Sequence, residues 1–115
     1  MATDAVVVLT TLPADADAAA FARVLLAERL VACVNLLPVM ESLYWWEGAV
    51  AEDRERQLVM KTSTDRVPAL RERIRALHPF DVPELLVLPV IDGTDVYLRW
   101  IGDATRPAPP DRDEP

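Results

Sequence analysis

Val31–Trp46 (VACVNLLPVMESLYWW) decides the fold. It is long, mostly apolar and rich in branched and aromatic side chains, which suit a pleated strand. Glu47-Gly48 follows as a turn. Val50–Thr62 (VAEDRERQLVMKT) then returns, charged at its start and apolar at its end. Two strand-like runs around a short turn make a β-hairpin. Pro38 donates nothing to a ladder, so it predicts a bulge or bend in the first arm. Alternation along the charged start puts Glu52, Arg54 and Arg56 on one face and Asp53 and Glu55 on the other. That pattern fits a solvated face with cross-strand pairs.

Working outward, Ala5–Thr10 (AVVVLT) is the unbroken β-branched run of a strand buried on both faces. Between it and the hairpin, an Ala-rich segment runs from Pro13 to about Arg29. Phe21, Val24, Leu25 and Leu26 give it an apolar side, and Asp15 and Asp17 suit a helix N-terminus. After the hairpin, Thr64 is placed to cap a second helix with Asp65 in its first turn. Val67, Leu70, Ile74 and Leu77 recur at helical spacing, and Pro79 ends the run. Glu84–Ile91 (ELLVLPVI) predicts another strand, Asp92-Gly93 a turn, and Val96, Tyr97, Trp100 and Ile101 a short C-terminal helix. The order β-α-β-β-α-β predicts an α+β, ferredoxin-like antiparallel sheet with two helices on one face, a long protruding hairpin and a short C-terminal helix. This domain spans residues 1–102. Residues 103–115, Pro-rich and charged, predict a disordered tail.

Lengths predict assembly. The first hairpin arm, if straight, spans on the order of 50 Å at strand rise. The first helix covers only about 21 Å. The hairpin must overhang the helical layer, and the overhang carries Leu43, Tyr44, Trp45 and Trp46. Large aromatics on a bare ribbon make an exposed patch beside an open sheet edge, which a second copy of the chain would cover. The competing arrangement curls the hairpin back over its own sheet.

Composition bounds the function. The chain has 115 residues, 51% hydrophobic and 27% charged, within the range of one packed domain. Its formal net charge of -7 repels phosphate backbones and argues against non-specific nucleic-acid binding. No apolar run approaches the roughly 18 residues of a membrane span. The start, MATDAVVVLTT, lacks a basic leader and an apolar stretch, so no secretory signal is expected. Cys33 is the single cysteine, so no internal disulfide can form and the cytoplasm is the expected compartment. Only Gly48, Gly93 and Gly102 are present, which leaves no glycine-rich phosphate loop.

Ala32-Cys33-Val34-Asn35, Tyr44-Trp45-Trp46-Glu47-Gly48, Lys61-Thr62, His78-Pro79, Val82-Pro83-Glu84 and Tyr97-Leu98-Arg99-Trp100 stand in the order and spacing of the CutA divalent-cation tolerance family, which the chain resembles. The resemblance covers about residues 5 to 102. It implies a ferredoxin-like fold, a tight homotrimer built through the long hairpins, and a link to divalent-metal tolerance, copper especially. It also implies likeness in fold and assembly to the PII signalling proteins. Phe80 departs from the family, which usually has tyrosine after His-Pro.

Under that resemblance Cys33, His78 and Glu84 are the candidate ligands for copper or another divalent cation, since thiolate, imidazole and carboxylate all bind such ions. The bland reading makes Cys33 a small buried hydrophobe and His78 a helix C-terminal residue. It pairs Glu84 with Lys61. Asn35, Tyr44, Trp45 and Lys61 are candidates for an inter-subunit cleft holding a small ligand; the bland reading makes the aromatics core or interface. Two functions follow: a trimeric divalent-cation tolerance protein that binds metal, or a PII-like sensor whose clefts signal to a partner protein. A cysteine enzyme with His78 as base has no local signature, and nothing sets Cys33 at a helix N-terminus. No enzyme activity is expected.

Overall fold

The computed structural model describes residues 3–107. The chain runs β1 (Ala5–Pro13), α1 (Ala18–Ala27), β2 (Cys33–Trp46), β3 (Ala49–Ser63), a single 3-10 turn (Thr64–Arg66), α2 (Val67–Leu77), β4 (Leu86–Pro89) and α3 (Asp95–Ala104). The strands form one sheet in the order β2-β3-β1-β4, antiparallel at every pairing. This is the predicted α+β architecture.

Side-chain alternation divides the sheet into two faces. Val6, Val8, Leu12, Leu58 and Met60 point to one side and are buried against Phe21 and Leu25 of α1 and Leu70 and Ile74 of α2. The other face is covered at one end only, where Ile101 of α3 packs on Ala5 and Ala32.

Capping explains the helix limits. Asp17 caps α1, its Oδ1 accepting from Ala20 N at 3.0 Å. At the other end Arg29 sits at φ 59°. Arg29 N donates to Leu26 O and Leu30 N to Leu25 O, the paired bonds of a Schellman ending built on arginine instead of glycine. Thr64 does not cap α2. Its Oγ1 donates to Asp4 O at 2.9 Å, tying the 3-10 turn to the start of β1.

The hairpin is as long as its sequence implies. The β2–β3 register shifts between Leu36 and Val39, so Pro38 does mark a bulge. Arg56 Nε donates to Leu37 O there at 2.9 Å. The turn residues Glu47 and Gly48 take φ 50° and 82°, the left-handed pair that a two-residue type I′ turn requires. β1 ends opposite Glu55, so beyond it the hairpin is a two-stranded ribbon about 20 Å long. It stretches the molecule to 57 × 36 × 23 Å.

Two boundaries differ from the sequence reading. β4 is confined to Leu86–Pro89; ahead of it, Glu84 O accepts from Thr10 Oγ1 and Glu84 Oε2 from Gln57 Nε2. The tail does not begin at Asp103: Asp103 and Ala104 finish α3, and Thr105 is buried, its Oγ1 bonded to Ile101 O at 2.8 Å. The rest of the expected tail, from residue 108, lies outside the described residues. Among the described residues no helix is long and apolar enough to cross a membrane.

Candidate functional site

Three separate places hold the residues singled out in the sequence. The first is the β2–β3 ladder. Cys33 lies opposite Lys61 and Asn35 opposite Val59, so all three polar side chains share the sheet face turned away from α1 and α2. Lys61 Nζ donates to Asn35 Oδ1 at 2.5 Å and lies 3.9 Å from Cys33 Sγ; Cys33 Sγ is 3.8 Å from Asn35 Oδ1. The thiol is half-buried. Around this cluster the face is apolar: Val7, Leu9 and Val59 are half-buried, and Leu86 and Leu88 are 54% and 45% exposed.

The second place is the end of β1. His78, the residue that closes α2, is buried. Its Nε2 lies 2.6 Å from Thr11 O, and its Nδ1 accepts from Phe80 N at 3.1 Å. Phe21 meets the ring edge-on at 6.3 Å, and Phe80 lies 5.2 Å away, tilted. Glu84 stands nearby but faces Gln57: Glu84 Oε2 accepts from Gln57 Nε2 at 2.9 Å. Gln57 Nε2 also donates to Thr10 O at 2.8 Å, and Thr10 Oγ1 donates to Glu84 O at 2.7 Å. The suggested Glu84–Lys61 ion pair is therefore absent within the chain. Gln57 takes its place, a residue the sequence reading passes over. It sits where the charged half of β3 gives way to the apolar half, and nothing in that spacing signals its partners.

The third place is the ribbon tip. Tyr44, Trp45 and Trp46 are exposed, Trp45 by 76%. The Tyr44 hydroxyl donates to the Asp53 carboxylate diagonally across the ribbon. That bond raises the phenol above its ordinary 10.0; slight desolvation and the negative charges of Asp53 and Glu55 push the same way.

Within one chain the expected metal ligands do not converge. Cys33 lies opposite Lys61, which pairs with Val7; His78 binds Thr11, about 13 Å further along β1. Lys61 also puts a positive charge beside the thiol, which opposes a cation there. Among the described residues no group of three or more His, Cys, Asp or Glu is placed to hold a metal ion, and no buried side-chain polar atom lacks a partner. Cys33, His78 and Glu84 of one chain do not fit a divalent ion as a set. The expected cleft residues are divided too. Asn35 and Lys61 lie at the body end of the hairpin, and Tyr44 and Trp45 lie on the order of 30 Å away at its tip. A cleft of about 410 Å³ beside the end of α3 is lined by Asp4, Ser63, Thr64, Asp65, Thr105 and Arg106, and holds none of the expected residues.

Comparison with known proteins identifies the relatives. The family model of the CutA1 divalent ion tolerance protein matches residues 6–104. The divalent-cation tolerance protein CutA of Thermus thermophilus is 46% identical over 99 residues, covering 86% of this chain and 96% of that protein. The protein of the same name from Pectobacterium atrosepticum is 48% identical over 103 residues, covering 90% and 94%. The crystal structure of CutA1 from Oryza sativa superimposes with a TM-score of 0.86 at 39% identity, covering 93% of this chain and 98% of that one.

Proposed function

Since the chain belongs to the CutA1 divalent ion tolerance protein family, we propose that it serves divalent-cation tolerance as a homotrimer. In this reading copper or another divalent ion is held by donors from more than one subunit. One observation carries it: the ribbon leaves Leu43, Trp45, Trp46 and Val50 each more than half exposed. Such a patch, on a bare ribbon with open edges, belongs against another copy. The apolar sheet face around Val7, Leu9, Leu86 and Leu88 is a surface of matching chemistry. Assembly would also bring together residues that one chain keeps apart. We read the protein as a binding protein of the cytoplasm, not an enzyme; within one chain His78 is too far from Cys33 to act as its base.

The test is light scattering and calorimetry with Cu(II) and Zn(II) on the native protein and on Trp45→Glu. The expected result is a native trimer that binds metal, and a variant that dissociates and loses the binding. A native monomer, or metal uptake that survives dissociation, overturns the reading. The Lys61–Asn35 pair favours a second reading, a PII-like sensor. An ammonium and an amide on an apolar face suit a small anionic ligand. Lys61→Ala separates the two: it abolishes ligand recognition by a sensor and leaves metal uptake by a tolerance protein intact.

A further inference from the structure

β4 begins at Leu86, opposite Leu9. Further along β1, no strand continues on that side, and Thr10 and Thr11 meet the segment between α2 and β4 instead. It is fastened at two points. At its start, His78 Nε2 meets Thr11 O; at its end, Glu84 is held by Thr10 Oγ1 and Gln57 Nε2.

The hydrogen bonds of His78 fix its chemistry. A carbonyl oxygen only accepts, so Nε2 beside Thr11 O carries a hydrogen. A backbone amide only donates, so Nδ1 beside Phe80 N carries a lone pair. Both requirements select one form, the neutral ring with its hydrogen on Nε2. An imidazole binds a metal through a free lone pair. Nε2 has none in this form, and the Nδ1 pair is occupied by the Phe80 amide. A metal at Nδ1 would strand that amide and displace a ring wedged between Phe21 and Phe80.

We infer that His78 is a clasp that locks the Pro79–Leu85 segment onto β1, and that copper does not use it as a ligand. This goes beyond the proposed trimer and stands whether or not the assembly binds metal elsewhere.

The chain contains a single histidine, so tag-free, ¹⁵N-labelled protein gives one imidazole to read. At neutral pH the expected spectrum shows the one-bond proton coupling at Nε2 and none at Nδ1. One equivalent of Cu(II) per chain leaves those ring signals sharp. His78→Ala speeds amide hydrogen exchange at Phe80 by about tenfold or more and leaves the copper stoichiometry unchanged. A hydrogen found on Nδ1, or selective loss of the ring signals at the first equivalent of Cu(II), overturns the inference. So does a His78→Ala protein that keeps slow exchange at Phe80 yet loses a copper site. The spectrum of the native protein decides the tautomer even if the variant does not fold. If the native protein binds no copper at all, the metal part of the proposed function fails while the tautomer still decides the clasp.

Discussion

The helix-backed body and the hairpin ribbon use the same kinds of side chain in opposite ways. In the body, Val8, Leu25, Leu58, Met60 and Ile74 are fully buried. In the ribbon, Leu43 and Trp45 are 64% and 76% exposed. β3 belongs to both regions. Its apolar half completes the core, and from Ala49 to Arg54 its ladder is with β2 alone. The body therefore draws its stability from packing within one chain, whereas the ribbon rests on its ladder and turn and leaves its apolar area exposed.

The sharpest way to break this contrast is to cut the core. Leu58→Ala removes a fully buried side chain under α1 and α2 and should cost about 2–5 kcal/mol. Chemical denaturation should show that loss at any protein concentration. A cost that changed with protein concentration would mean that the body depends on assembly. A smaller effect tests the ribbon. Gly48 sits at φ 82° with nothing within 4 Å of where a Cβ would stand. Gly48→Ala therefore meets backbone strain and no clash, and should cost about 1 kcal/mol. Hydrogen exchange should show the loosening in ribbon amides near Trp46 and Ala49, with core amides such as Leu58 slowed or hastened no more than global stability dictates. Equal local loosening at Leu58 would show that ribbon and body fold as a single unit.

Both regions are legible where their signals are local. β-branched and apolar runs and helical spacing are local signals, and they place β1, both arms of the hairpin and α2. Pro38 and Glu47-Gly48 mark the bulge and the turn because proline and glycine act on their own backbone. The misreadings come from side chains that look outward. Thr64 suits a cap by type, yet it stands ahead of the α2 N-cap and its hydroxyl donates to Asp4 O, far away in sequence. Glu84 suits a strand start and a cation by type, but it stands ahead of β4, bonded to Gln57 and Thr10. His78 and Cys33 share a chemistry and a family resemblance. Strand register separates them, and no spacing in the sequence encodes that distance. The exposed aromatics are legible as a patch from hairpin length alone, since a ribbon longer than its helical cover has to overhang.

The finest test of the contrast is Tyr44, whose hydroxyl stabilises the ribbon from outside any core. Its bond to Asp53 holds the proton on the phenol, so the folded-state value lies above 10.0. The folded chain then retains a proton that the unfolded chain has released, and stability falls as pH rises. The contribution is complete below the unfolded value near 10 and disappears as pH climbs through the folded one. In an ultraviolet titration of phenolate absorbance, Tyr44→Phe identifies the Tyr44 transition, since Tyr97 is the only other tyrosine. Asp53→Asn should bring that transition down toward 10, because it removes the charged acceptor and one of the two nearby negative charges while Glu55 remains. The core offers no such handle, so Leu58→Ala should leave the Tyr44 midpoint where it is. A midpoint that moved with the core substitution would tie the ribbon's electrostatics to body packing and dissolve the division between the two regions.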